Sequence, residues 1–439
     1  MTASSAPDVA AAPALLPEAE LRAIREDFPI LTRQVRGATP LIYLDSGATT
    51  QRPAPVLRAM HEFATGRNAA VHRGAHALAE EATEDYEQAR AGIAGYYGTA
   101  PEEIVFTSGT TAAINLLASS ISGASQGGGG QAARRFALLP GDRIVVTQAE
   151  HHSNLVPWQE LAARTGAELA WLRVGPDGRL RLDDLDTVIT PRTRILAFTH
   201  ASNVTGAVSD VATIVAAARR VGALTVLDAA QTAGHLPVNL SALGVDFAAF
   251  SAHKTLGPHG VGALYGRLEL LEALPPGFFG GSMVEIVTMT EATFQPPPTR
   301  FEAGTQPVTE AIGWAAALAY LAEIGPDRVA AHEAALTQAL LRAIAGLEGV
   351  RLLGPTDLTD RLGCVAVAFD GVHPHDAGQY LDSLGFAVRV GHHCAQPVHR
   401  ALGVHTSTRA TFGVYNTLAE VEAYGAALGT VRAYFGEGR

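Results

Sequence analysis

The sequence predicts an α/β protein with a large, mostly parallel sheet covered by helices on both faces, followed by a smaller α+β unit at its C-terminal end. Two observations carry this. Apolar runs of strand length, such as Arg143–Val146, Ile195–Phe198 and Leu224–Leu227, recur between residue 41 and about residue 290. Ala-rich stretches of helical period separate them, the pattern of a sheet buried on both sides.

In chain order, residues 1–20 are expected to form a mobile Ala/Pro tail. Residues 21–40, with a short helix over Leu21–Phe28, are expected to pack with the small domain. Leu41–Asp45 reads as a strand ended by Ser46-Gly47, and it opens a large domain over 41–324. Within it Ile104–Phe106 is a strand leading to a helix over Ala112–Ser119, and Phe247–Phe250 is a strand. Ser122–Gln131 contains Gly127–Gly130 and reads as a flexible loop inside an insertion over 121–136. Pro296–Pro298 breaks the chain before a helix at Trp314–Ile324, which resumes over Val329–Leu347 after Gly325-Pro326. The small domain, 325–439, is expected to hold strands at Cys364–Phe369 and Ala387–Val390 and a closing helix over Leu418–Tyr434.

Composition narrows the function. With 47% hydrophobic residues and 17% charged, the chain is that of a compact protein and not a disordered one. Its formal charge of −11 gives no general field for a phosphate backbone or an anionic membrane, so neither nucleic acid nor membrane is an expected partner. No apolar run approaches the ~20 residues of a spanning helix. The N-terminus does not read as a signal peptide, and two cysteines are too few for a disulfide framework, so the expected location is the cytoplasm.

One count stands out: of 32 basic residues 31 are Arg, and the single Lys is Lys254. Arg stays charged in proteins, whereas a desolvated Lys can lose its proton and attack a carbonyl to form a Schiff base. Asp228 follows one apolar run and Lys254 another, which places both at carboxyl ends of adjacent strands, where open α/β sheets bind ligands. A Lys facing an Asp is the minimum kit of a pyridoxal phosphate enzyme, the carboxylate holding the pyridine nitrogen protonated. Thr107-Ser108-Gly109-Thr110-Thr111, between a strand and a helix, offers N–H groups and hydroxyls to a phosphate, and Ser251 and His253 can add donors. His151 is a planar ring suited to stacking on the cofactor. His151-His152 and His392-His393-Cys394 raise a zinc reading, but without Cys-x-x-Cys or His-x-x-x-His spacing no metal is expected.

Together these motifs resemble a known family. Leu44-Asp45-Ser46, Val71-His72-Arg73-Gly74, Gly109-Thr110-Thr111, Glu150-His151-His152, Thr199-His200-Ala201-Ser202-Asn203, Asp228-Ala229-Ala230-Gln231, Ser251-Ala252-His253-Lys254, Phe301-Glu302-Ala303-Gly304-Thr305, Arg389-Val390-Gly391-His392-His393-Cys394 and Arg409-Ala410 occur in the order of the group II (SufS-type) cysteine desulfurases. These belong to the class V aminotransferase superfamily of fold type I pyridoxal phosphate enzymes. The resemblance implies pyridoxal 5'-phosphate held by Lys254, with Asp228 on its pyridine nitrogen, Gln231 on its phenolic oxygen, His151 stacked on the ring and Asn203 beside ring and substrate. Thr110, Thr111, Ser251 and His253 would hold the phosphate, with Thr305 reaching in from the second subunit of a homodimer. Arg409 would grip the carboxylate of L-cysteine, and Arg389, His72 and Arg73 would also serve the substrate site. Cys394 would attack the substrate sulfur, releasing L-alanine and keeping a persulfide for iron–sulfur cluster assembly, delivered to an acceptor of the SufE or SufU type. Cys364, in an apolar run, is expected to be an inert core thiol.

Two other readings remain open at this stage. The same residues would support a selenocysteine lyase or a cysteine sulfinate desulfinase, and the His/Cys cluster would support a non-catalytic metal- or protein-binding module.

Overall fold

The structure, a computed structural model, describes residues 13–436. Its main sheet has seven strands: β1 (Ile104–Thr107), β2 (Arg143–Thr147), β3 (Glu168–Leu172), β4 (Thr193–Thr199), β5 (Leu224–Asp228), β6 (Phe247–Ser251) and β7 (Gly262–Gly266). They lie in the order β1-β7-β6-β5-β4-β2-β3. Five adjacent strands, β3 to β6 in that order, pair in parallel, and β7 runs antiparallel between β6 and β1. Strands buried on both faces need apolar residues at every position, which is why they appear as continuous runs. On one face Ile114 and Leu117 of the helix Thr110–Ser125 pack on Val105, Val146 and Leu264. On the other, Trp314 of the helix Val308–Ile324 packs with Phe106, Phe250 and Ile93.

The strand ends break this apolar rule together. Thr107, Thr147, Thr199, Asp228 and Ser251 are the last residues of β1, β2, β4, β5 and β6, so polar side chains collect along one edge of the sheet. This is the edge where ligands bind in open α/β sheets.

A second, antiparallel sheet comprises β8 (Val350–Leu353), β9 (Cys364–Phe369), β10 (Arg389–Gly391) and β11 (Ser407–Thr411), in the order β8-β9-β11-β10. The helices Pro326–Ile344 and Leu418–Gly436 bury Leu336, Leu340, Val421 and Leu428 against it. Asp45 bridges to Thr411, which brings the segment that follows Ile42–Tyr43 onto the end of β11.

Several expectations need correction. The tail was expected to be mobile to residue 20, yet a helix begins at Glu18, Ala14 N–H donates to Ala331 O at 3.1 Å and Leu16 is buried. Residues 1–12 of that tail lie outside the described residues. The Gly-rich insertion is not a free loop: the helix from Thr110 continues to Ser125, short helical turns follow at Gly130–Ala133 and Arg134–Phe136, and Ala133 and Phe136 are buried. Its few apolar residues bury, and that outweighs the entropy of the glycines around them. The strand expected at Ala387–Val390 divides between two partners, Phe386–Ala387 pairing with Ile42–Tyr43 and Arg389–Gly391 with β11.

Candidate active site

At the polar edge of the sheet lies a cavity of about 200 Å³. Asp228 and Lys254 both line it, Asp228 as the last residue of β5 and Lys254 at the end of a single 3-10 turn that follows the adjacent strand β6. Asp228 is buried and its carboxylate accepts from Ala230 N–H at 3.0 Å; burial pushes its pKa up, while Lys254 opposes the shift. Lys254 is pushed down to about 8, mainly by burial and further by Arg409 and Arg389, against the pull of Asp228 and Cys394. An amine in that range is a free nucleophile for part of the time near neutral pH.

The helix Thr110–Ser125 points its N-terminus into the same cavity. Gly109, at φ +143°, turns the chain there from β1 into the helix, and a Cβ at that position would meet Ser251 Oγ at 3.1 Å. Thr110 N–H donates to Ser251 Oγ at 2.8 Å, the Thr110 and Ser251 hydroxyls lie 2.8 Å apart, and Thr111 Oγ1 lies 2.7 Å from Ser153 Oγ. His253 completes this end, its buried Nδ1 without a partner among the described residues. Helix N–H groups, hydroxyls and an unpaired imidazole nitrogen form a fitting cradle for a phosphate.

His151 lines the cavity and its Nδ1 accepts from Ser153 N–H at 3.1 Å. Burial, then Lys254 and His152, hold it down to about 3, so the ring is neutral. Behind it, Glu150 is fully buried and accepts from Thr147 Oγ1 at 2.6 Å, Asn154 Nδ2 at 2.6 Å and Thr199 N–H at 2.8 Å. Burial pushes its carboxyl up to about 8. Glu150 thereby ties the His151 turn to β2 and β4, a role the sequence reading did not assign.

The opposite wall comes from the second sheet. Arg409 on β11 is 1% exposed; its Nη1 donates to Asn203 O at 2.8 Å and its Nη2 to Asp45 Oδ1 at 3.0 Å, while its Nε is unpartnered. Arg389 on β10 lines the same cavity, as do Asn203 and Gln231, whose Nε2 donates to Gly47 O at 3.0 Å.

Cys394 is half-buried beside His393, which lines the cavity. Both residues are left-handed, at φ 50° and 55°. That backbone costs a non-glycine residue about 1–2 kcal/mol, and three hydrogen bonds offset it: His152 N–H to Cys394 O at 2.7 Å, Asn203 Nδ2 to His393 O at 2.7 Å and Ala395 N–H to His392 O at 2.8 Å. Cys364 is fully buried on β9, where burial pushes its thiol pKa up.

Four expected site residues are not among those that line this cavity: Cys394 adjoins it through His393, and His72, Arg73 and Thr305 lie apart from it. His72 Nε2 pairs with Glu87 at 2.9 Å, Arg73 Nη2 donates to Ser282 O at 3.2 Å, and Thr305 lines a separate cavity with Phe106 and Phe278. Among the described residues no group of three or more His, Cys, Asp or Glu side chains is arranged to hold a metal, and no helix is long and apolar enough to cross a membrane.

Comparison with known proteins gives a consistent picture. The family model described as aminotransferase class-V matches residues 42–424. A probable cysteine desulfurase of Mycobacterium leprae is 50% identical over 422 residues, covering 95% of this chain and 98% of the relative. One from Streptomyces coelicolor is 46% identical, with 95% and 98% covered. Among solved structures, the apo cysteine desulfurase of Thermococcus onnurineus NA1 superposes with a TM-score of 0.86 at 37% identity, covering 93% of this chain and 97% of that one. The cysteine desulfurase CsdA of Escherichia coli gives 0.83 at 37% identity, with 94% and 98% covered.

Proposed function

We propose roles for the residues of this site from the premise that the chain belongs to the aminotransferase class-V family and is a pyridoxal-phosphate-dependent cysteine desulfurase acting on L-cysteine. The donor set fits the cofactor: one lysine, a buried carboxylate one strand away, a neutral imidazole and a helix N-terminus share one cavity. Lys254 would hold the cofactor carbonyl, Asp228 its pyridine nitrogen, and Thr110, Thr111, Ser251 and His253 its phosphate, while Gln231 and His151 would serve its ring. Bound there, the cofactor supplies an electron sink for the α-carbon of an amino acid.

The protein's own groups do the rest. Arg409 binds the substrate carboxylate through a planar fork, with Arg389 and Asn203 beside it. Lys254 Nζ, its pKa lowered to about 8, takes the α-proton. The Cys394 thiolate attacks the substrate sulfur, the substrate carbon–sulfur bond breaks, alanine leaves and the persulfide stays on Cys394. The half-buried position of Cys394, next to a residue that lines the cavity, supports it over the fully buried Cys364.

The group II (SufS-type) assignment belongs to this reading, as do a homodimer in which a second copy adds Thr305, His72 and Arg73, a sulfur acceptor of the SufE or SufU type, and a cytoplasmic location. So does a division into a large domain over 41–324 and a small one over 325–439. The observation that carries the reading is that the chain's single lysine and Asp228 line one cavity at the ends of adjacent strands. Its test is colour: purified protein should be yellow, borohydride should fix the cofactor to Lys254, and a tryptic map that finds the label elsewhere overturns the assignment.

A further inference from the structure

The turn that presents Cys394 also carries a histidine whose hydrogen bonds fix where its proton sits. His393 Nε2 lies 2.9 Å from Ser407 Oγ, Ser407 Oγ lies 2.9 Å from His399 Nε2, and His399 Nδ1 lies 2.9 Å from Ala395 O. A carbonyl only accepts, so His399 carries a proton on Nδ1. Burial pushes the His399 pKa below its ordinary value, which favours the neutral ring with its Nε2 as an acceptor. The Ser407 hydroxyl therefore donates to His399, and with its one proton spent it accepts from His393 Nε2. The other nitrogen, His393 Nδ1, is left as a bare acceptor. It is buried, has no partner among the described residues and belongs to a residue that lines the active-site cavity.

We infer that His393 Nδ1 accepts a proton from the α-ammonium group of the incoming amino acid, and that Ser407 and His399 are positioning residues that keep this nitrogen unprotonated and then draw the charge away. This rests on the reading that the substrate carboxylate sits at Arg409, which lines the same cavity as His393 and Lys254. An amino acid arrives largely as an ammonium, and only its free amine can attack a carbonyl held at Lys254. In the step a substrate N–H bond breaks, its electron pair stays on nitrogen and the proton goes to His393 Nδ1. The Nε2 proton of His393 passes to Ser407 Oγ as the Ser407 proton passes to His399 Nε2, and no electrons are exchanged.

The direction of this relay follows from the surrounding charge. The groups acting on His393 are Arg409 on β11, Arg389 on β10, neighbouring His392, and His399 on the helix Gln396–Ala401, and after burial the two guanidiniums disfavour a cation on that ring. Burial and His392 lower the His399 pKa as well, but the hydrogen bond from its Nδ1–H to Ala395 O opposes that shift, so of the two rings it is the one with a carbonyl acceptor for its proton.

The test uses holoenzyme and L-alanine, which has the ammonium and carboxylate of the substrate and no sulfur, and follows the rate of the visible spectral change from about pH 6.5 to 9.5. His393→Gln keeps an amide group toward Ser407 and removes Nδ1; a loss of about 100-fold near neutral pH is expected, within the usual span of general base catalysis. That loss should shrink roughly tenfold per pH unit as more alanine arrives as free amine. His399→Gln still offers Ser407 an acceptor but cannot take the charge, and should show a smaller loss with the same recovery. A loss that stays constant with pH, or no loss, overturns the inference. Neutron diffraction from crystals of the unmodified protein gives a readout independent of activity: a deuteron on His393 Nε2 and none on Nδ1 is expected, and a deuteron on Nδ1 overturns it. A wild-type spectrum that ignores L-alanine overturns the parent reading, and this inference with it.

Discussion

Replacing Arg409 by Lys keeps a positive charge in the wall of the cavity and removes the planar fork. In the structure the guanidinium spends one N–H on Asn203 O at 2.8 Å and one on Asp45 Oδ1 at 3.0 Å, with Nε and the remaining N–H groups left for a ligand. A lysine carries its three donors on one nitrogen and cannot serve both walls and a carboxylate together. Losing one charged hydrogen bond costs about 1.5–3 kcal/mol, so kcat/KM for L-cysteine should fall about 10- to 150-fold. A second consequence separates binding from folding. Burial pushes the Asp45 carboxyl up and Arg409 is the largest opposing influence, so the variant should also melt lower. Asp45→Asn serves as the control: it keeps an oxygen for Arg409 Nη2, and its kcat/KM should fall far less than that of Arg409→Lys. Steady-state rates and thermal melts of both variants check this. An unchanged kcat/KM in Arg409→Lys would refute the assignment of the carboxylate to this residue.

Three other outcomes follow from the same geometry. Lys254→Ala should be colourless and inactive, because the sequence holds no second lysine to take its place; an absorption spectrum and a turnover assay decide it. Cys364→Ser should keep wild-type turnover and melt lower, since its Sγ is fully buried 3.6 Å from Val204 O. Acid should weaken the fold through buried histidines: burial lowers His200 to about 4 from an ordinary 6.5. Its folded pKa is depressed, so the stability is present above pH 6.5 and lost as pH falls toward 4; melts across that window should drop less steeply in His200→Asn, and an identical slope would contradict it.

The parallel strands and their order of appearance were legible because burial on both faces writes itself as apolar runs. β7 was harder to see: Gly262–Gly266 is short, begins and ends in glycine, and runs against its neighbours, which no local pattern encodes. Asp228 and Lys254 were legible because each directly follows such a run. The Gly-rich insertion misled because composition reports entropy and says nothing of where Phe136 finds a place to bury. Arg409 and Cys394 came from resemblance rather than pattern, since the sheet that carries Arg409 meets the main sheet only in three dimensions. The His393–Ser407–His399 chain was invisible for the same reason: it is made by the pairing of Gly391 with Ser407 across two strands. Glu150 stood in a recognised motif, but only the structure assigns it three donors.

The central claim is that the substrate sulfur passes to Cys394. After brief exposure of the holoenzyme to L-cysteine, mass spectrometry of its peptides should find the mass of one sulfur atom added to the peptide carrying Cys394 and none on that carrying Cys364. Cys394→Ser should keep the yellow cofactor and its spectral response to L-cysteine while releasing no alanine. Added sulfur on Cys364, or normal alanine release by Cys394→Ser, would contradict the account.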